Sequence, residues 1–309
     1  MNFKLTQDHE AIIADVRAFA KKEIAPFAEE IDRESKFPAE IIAKMAELGY
    51  MGINVPEEYG GAGLDDVYKA LVVEEIAKYC ASTAEILAVH ALVSDIIIRK
   101  GTKEQKEKYL PMAAAGKLGA FALTEAGAGS DASAAKTKAL ADGDNYIING
   151  SKCFISNMGP DEGDYVVLIA LTDPSAGTKG MSAIIVDRNT PGFSIGKVED
   201  KMGLRGAAVS ELILEDCIVP KSNLVGKEGE GFKIAMAALD GGRIGIAAQA
   251  VGISEAAIDA SVEYSKQRTQ FGKPISAIQG VQWYLADMAT RTEAARLLVL
   301  QAADMRSRG

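Results

Sequence analysis

Apolar positions recur at helical spacing over roughly the first 115 residues. In "AIIADVRAFAKKEIAPFAEEI" the repeat follows Thr6 and Asp8, either of which suits a helix cap, and in "FPAEIIAKMAELGY" Pro38 falls in a first turn. "VPEEYGGAGLD", with Gly60, Gly61 and Gly63, reads as a loop. Two further helices are predicted at about 65–80 and 82–100, followed by "GTKEQKEKYL" with Thr102 at the N-cap.

From about 118 to 220 the period shortens to that of strands broken by turns. "GDNYIINGSKCFISN" predicts a hairpin turning at Asn149-Gly150, and "DYVVLIALT", "GMSAIIVD", "FSIGKV" and "SELILEDCIV" continue the series. No helical segment separates these strands, so the expected sheet is antiparallel or Greek-key rather than βαβ.

Beyond 227 the pattern is helical again, with long helices at about 227–267 and 276–306. "RTQFGKPI", carrying the turn residues Gly272 and Pro274, joins them. Ala238, Gly241, Gly245, Ala248 and Gly252 form a small-residue stripe that suits close helix packing. Gly242 lies off that stripe by about 100°. Ile278, Val281, Leu285, Met288, Thr292, Ala295, Val299 and Ala302 form a seam that wants a partner helix. The expected class is α+β: an N-terminal helical domain (1–116), a middle antiparallel β domain (117–225) and an incomplete C-terminal helical bundle (226–309).

Composition narrows the function classes. Apolar residues make up 48% of the 309, and the net charge of −9 offers no basic excess for nucleic acid or an anionic membrane. Cys80, Cys153 and Cys217 read as reduced, intracellular thiols. The N-terminal stretch is amphipathic and acid-containing, unlike a leader, and no apolar run is expected to reach the about 20 residues of a membrane span. A cytoplasmic protein is expected.

With only His9 and His90 no histidine cluster is available to a metal, and His90, within "AEILAVHALVSDIII", reads as packed or pocket-lining. No G-x-S-x-G elbow occurs. "ALTEAGAGSDASA" lacks both the Lys-Ser/Thr of a P-loop and the third glycine of a dinucleotide fingerprint. It remains either a plain turn or a small-residue loop open to a flat or extended ligand. Asp240 and Arg243, three apart, suit either a surface ion pair or a phosphate-bearing substrate.

"AFALTEAGAGSDASAAKTKA", "DNYIINGSKCFISN", "MGLRGAAVSELILEDCIVP", "GKEGEGFKIAMAALDGGRIGIAAQAVGI" and "RTQFGKPI", in this order, resemble the acyl-CoA dehydrogenase family, most closely its short-chain or butyryl-CoA branch. The resemblance implies FAD, a short-chain acyl-CoA substrate, an electron-transferring flavoprotein as partner and a homotetramer. It implies that Phe121, Leu123, Thr124, Gly129 and Ser130 run along the flavin and thioester, with Ser130 near the CoA chain. Phe154, Ile155 and Ser156 match a second flavin segment, in which relatives often carry Trp and Thr where Phe154 and Ser156 stand. Asp240 and Arg243 match CoA contacts. Arg268, Phe271 and Gln279 match residues that reach FAD, with Arg268 and Gln279 on its pyrophosphate and adenosine side. Leu87, His90 and Leu92 are expected to help line the acyl pocket.

The resemblance also implies a catalytic base that these residues do not supply. The usual Glu, in a Y-E-G-T type motif, is expected beyond residue 309, and the alternative family position is occupied by Gly242. The sequence reads as about the first four-fifths of such an enzyme. Two other functions stay open: a non-catalytic homologue binding FAD or CoA esters, and an enoyl-CoA reductase running the reverse reaction.

Overall fold

The computed structural model describes residues 4–308; residues 1–3 and 309, the outer ends of the first and last predicted domains, lie outside the described residues. These residues form two compact units by their internal contacts. One comprises the chain up to Glu29, Asp65–Glu85 and Arg243 onward, and the other comprises Glu30–Leu64 and Ile86–Gly242.

The helices in chain order are α1 (Gln7–Phe19), α2 (Ala28–Arg33), α3 (Ala39–Glu47), α4 (Asp66–Ala77), α5 (Ala81–Lys100), α6 (Lys103–Ala114), α7 (Gly231–Gln267) and α8 (Gln279–Arg308). Thr6 caps α1 and Thr102 caps α6, each in a reciprocal box closed by His9 and Gln105. Pro38 is the residue before the first turn of α3, one position earlier than expected. Helix α5 corrects the expectation about apolar runs. At 20 residues it is long and apolar enough to cross a membrane by length and composition, yet 78% of its most apolar stretch is buried in protein. It is a core helix.

The strands are β1 (Gly119–Ala122), β2 (Lys138–Asp142), β3 (Asn145–Ser156), β4 (Tyr165–Leu171), β5 (Met181–Asp187), β6 (Phe193–Val198), β7 (Val209–Pro220), β8 (Leu224–Val225), and the short pair β9 (Thr269–Gln270) and β10 (Lys273–Pro274). The main sheet runs β6-β7-β3-β2-β4-β5-β8, with β1 on β4. Most neighbours are antiparallel, as expected, but β1 pairs with β4 in parallel and β2 touches β4 in parallel at Lys138 and Leu171. A parallel pair needs a long connection. Here it is supplied by the loop after β1 and the β2–β3 hairpin, so no helix was needed to build it.

Every residue of β4 is buried. Tyr165, Val167 and Ile169 pack with Val93 and Ile97 of α5, Leu110 of α6 and Ile234 of α7, whereas Val166 and Leu168 pack with Tyr146, Ile148 and Leu212 on the opposite face. A strand covered on both faces reads as an unbroken apolar run, which "YVVLIAL" is.

The predicted hairpin at Asn149-Gly150 does not form. Residues 145–156 are one strand, and the turn lies earlier, between Asp142 and Asn145, where Gly143 has φ +55°. The Asn149 side chain instead holds a bulge on β7: its Nδ2 donates to Asp216 Oδ1 (3.0 Å) and its Oδ1 accepts from Asp216 N (2.8 Å). Asp216 sits at φ +47°. An Asn-Gly pair thus satisfies a neighbour's irregularity rather than reversing the chain.

In the first unit α4 and its C-cap are braced by ion pairs from three helices: Arg17 of α1 to Glu75 (2.6 Å), Arg296 of α8 to Glu74 (2.8 Å), and Glu255 of α7 to the C-cap residue Lys78 (3.2 Å). The small-residue stripe of α7 is buried, and a Cβ on Gly252 would stand 2.2 Å from the Glu74 carbonyl oxygen. Packing accounts for that stripe. Of the seam along α8 only Val299 is buried and the rest is half-buried, except Ala295, which is exposed while the neighbouring Arg296 turns to Glu74.

Candidate functional site

The loop "ALTEAGAGS" leaves the end of β1 and is fastened to β3 by its own backbone. Cys153 N donates to the Thr124 carbonyl (3.0 Å), and Glu125 and Ala128 exchange two backbone hydrogen bonds that close a tight turn. Ala128 points into the core, whereas Gly127, Gly129 and Ser130 are exposed. Neither glycine has a positive φ, and a Cβ on either would meet no protein atom within 4 Å. The chain's own packing therefore gives no reason for glycine at these two positions.

Behind this loop lies a pair of charges. Lys152 is wholly buried, and its Nζ donates to Leu123 O (3.0 Å) and Glu125 Oε1 (2.8 Å). Glu125 also accepts from Lys136 N (2.7 Å) and Thr137 N (3.0 Å). Burial pulls the Lys152 ammonium below its usual range against the opposing pull of Glu125. Burial also works to raise Glu125, but the hydrogen bonds from Lys152 and the loop backbone win and hold it lowered.

Strand β3 then bulges. Lys152 pairs with Leu212 and Ile155 with Ser210, so β3 carries one residue more than β7 between these points. Phe154 takes up the excess at φ +59°, a costly conformation for an aromatic residue, and its side chain is 64% exposed. Ile155 returns to the core and Ser156 is half-buried. Asn157, at φ +63°, ends the segment with Nδ2 donating to Ile86 O (2.9 Å).

The structure thus brings together Phe121, Leu123, Thr124, Gly129, Ser130, Phe154, Ile155 and Ser156 along two adjacent segments of one unit. Leu123 and Ile155 are buried anchors; Phe121 and Thr124 are half-buried. Asp240, in the same unit, is exposed on α7. Arg243, Arg268, Phe271 and Gln279 belong to the other unit and are exposed there. Phe271 (φ +52°) and Gly272 (φ +74°) form the two-residue turn between β9 and β10, which leaves Phe271 91% exposed.

His90 corrects the expectation of a pocket-lining residue. It is fully buried, Nε2 lies 3.1 Å from Ala113 O, and Nδ1 accepts from Gly119 N (3.3 Å). Its imidazole holds the end of α6 to the start of β1. Leu87 is likewise fully buried, whereas Leu92 is half-buried against the core. Sequence reasoning passed over Lys152, whose signal was a lysine in phase with Tyr146 and Ile148 on the inward face of β3. Such a lysine requires a buried partner.

Comparison with known proteins gives one family along successive stretches of the chain. The acyl-CoA dehydrogenase N-terminal, middle and C-terminal domain profiles match residues 6–117, 120–217 and 229–309. The acryloyl-CoA reductase (NADH) of Anaerotignum propionicum is 56% identical over all of this chain and 79% of its own length. The butyryl-CoA dehydrogenase of Megasphaera elsdenii superposes with a TM-score of 0.97 at 45% identity, over 100% of this chain and 82% of that one. A chain in the structure of the electron-transferring flavoprotein of Acidaminococcus fermentans gives 0.97 at 51% identity, over 100% and 81%.

Proposed function

Because this chain belongs to the acyl-CoA dehydrogenase family, whose members are FAD-dependent oxidoreductases acting on CH–CH bonds, we propose that it binds FAD and a short-chain acyl-CoA, using residues of β1 and the loop after it, of β3 and of α7. The observation that carries this reading is the pair of fastened segments, with Phe154 held outward at a strained bulge. Strain of this kind persists where a site needs a side chain re-aimed. Gly127 and Gly129 fit a flat ligand for the same reason: they leave backbone exposed where nothing in the chain requires it.

When bound, FAD supplies the electron sink for hydride removal from the thioester β carbon. In this reading Thr124 and Ser156 offer hydroxyls to the ring edge, and Phe154 covers its flank. Ser130 meets the CoA chain, and Asp240 and Arg243 orient the remainder of the CoA. Arg268 offers a planar fork suited to pyrophosphate, and with Phe271 and Gln279 it reaches FAD in a neighbouring copy of a homotetramer. Gly242 has no group to take the α proton, and no residue named here is assigned that role.

The electron partner we propose is an electron-transferring flavoprotein, and the setting the cytoplasm. The likeness to an acryloyl-CoA reductase favours a second reading, in which the same site reduces a short 2-enoyl-CoA. Anaerobic titration of the FAD-reconstituted chain tests both. Bleaching of the flavin by butyryl-CoA supports dehydrogenation, and reoxidation of reduced protein by acryloyl- or crotonyl-CoA supports reduction. A folded chain that takes up no FAD overturns both readings. Size-exclusion chromatography reads the tetramer.

A further inference from the structure

Residues 123, 124 and 125 are each tied to one of two consecutive residues of β3. Lys152 Nζ holds Leu123 O at 3.0 Å and Glu125 Oε1 at 2.8 Å, while Cys153 N holds the Thr124 carbonyl between them at 3.0 Å. The same Glu125 carboxylate binds the amides of Lys136 and Thr137, so it closes the loop that contains Gly127, Gly129 and Ser130. One buried charge pair therefore sets the path of the loop at both ends.

A buried ion pair is a poor device for stability alone, because desolvating both charges offsets most of their attraction. Directional bonds to fixed backbone atoms are what a neutral, apolar filling would not provide. Phe154 is two residues beyond Lys152 on β3, so the same lysine also anchors the strand just before its bulge.

We propose that Lys152 and Glu125 are positioning residues for the flavin-facing loop: they hold Thr124 and the loop 125–137 in register with the Phe154 bulge. The proposal rests on the FAD reading above. Neither residue is assigned contact with cofactor or substrate. They act through the backbone atoms they hold, in the way that a supporting shell fixes the groups of a site.

The test compares wild type with Glu125→Gln and Lys152→Met, using the full chain. Four quantities are read: apo-protein amide exchange, FAD affinity, the visible spectrum of the bound flavin and its midpoint potential. The expected result is faster exchange at residues 124–137 with the rest of the sheet still protected. FAD dissociation constants rise by about tenfold or more, and the spectrum and potential shift. A folded Glu125→Gln protein that binds FAD with wild-type affinity, spectrum and potential overturns the proposal alone. A wild type that binds no FAD overturns the cofactor reading and the proposal with it. If Lys152→Met does not fold, Glu125→Gln decides the matter. If neither folds, the pair is a determinant of the fold and the positioning assignment is overturned.

Discussion

Leu92 occupies the space into which a side chain at position 242 would project: a Cβ built on Gly242 would stand 2.5 Å from Leu92 Cδ1. The obstructing atom is the far end of a flexible side chain, so a rotamer change clears it. Replacing a mid-helix glycine by alanine gains up to about 1 kcal/mol, which offsets the cost of moving Leu92. Gly242→Ala is expected to change unfolding free energy by less than about 1 kcal/mol in either direction, read by urea denaturation. A loss above about 3 kcal/mol would mean that Leu92 has nowhere to go.

The same geometry frames the question of the base. If residue 242 is the vacant alternative position, the 309-residue chain reconstituted with FAD turns over butyryl-CoA poorly. Introducing Gly242→Glu together with Leu92→Ala, to give the carboxylate room, is expected to raise the rate by about 100-fold, the scale of general-base catalysis. A dye-reduction assay in which the unaltered chain already runs at the speed of the double variant would show that another carboxylate serves.

Phe154 exposes 64% of its side chain at φ +59°, so the apo chain gives up stability to hold it there. Phe154→Gly is expected to stabilise the apo protein by about 1 kcal/mol, since glycine adopts positive φ without steric cost. FAD binding is expected to weaken in the same variant. Paired urea denaturation and flavin titration check both halves, and a variant that loses stability and keeps FAD affinity contradicts them.

How far the sequence could be read depended on whether a feature was local. Thr6 and Thr102 announce their helices because a cap needs only the residues beside it. "YVVLIAL" announces a strand buried on both faces because every position reports the same environment. Asn149-Gly150 misled because its meaning lies 67 residues away, in the Asp216 bulge. The Lys152–Glu125 pair was illegible for a similar reason: 27 residues separate the partners, and nothing in the stretch around either one names the other. The motifs pointed to the loop and to the β3 segment as site elements. How the two are joined became visible only with the register of the sheet.

His90 ties acidity to stability with a definite sign. Burial depresses its folded pKa from 6.5 to about 4, against the opposing pull of its bond to Ala113 O. Between these values the unfolded chain binds a proton that the folded chain does not. Stability is therefore full above pH 6.5 and falls as pH drops towards 4. The loss is about 2 kcal/mol by pH 5 and about 3 kcal/mol at completion. Other titrations cancel in the difference between wild type and His90→Gln, which lacks this group. That difference is expected to move against wild type by about 2 kcal/mol between pH 7.5 and pH 5 in urea unfolding. No change in the difference over that range would place the folded pKa near its ordinary value.

Arg296 gives a second pH signature, carried by a carboxylate. It bonds Glu74 (2.8 Å), Glu255 and Glu293 (2.6 Å). Burial raises the Glu74 carboxyl above the usual carboxylate range even with the arginine beside it. Arg296→Met leaves that buried carboxylate near Glu75 and Glu255 without its principal counter-charge, at a cost of about 3 kcal/mol near neutral pH. The folded pKa of Glu74 then rises further, so the folded variant takes up a proton more readily than the unfolded chain. The penalty therefore shrinks as pH falls towards the unfolded value of 4.5. Unfolding free energies of the two proteins are expected to stand furthest apart near pH 7 and to converge near pH 5. A gap that stays constant over this range would mean that Arg296 contributes packing rather than charge to the junction of α4, α7 and α8.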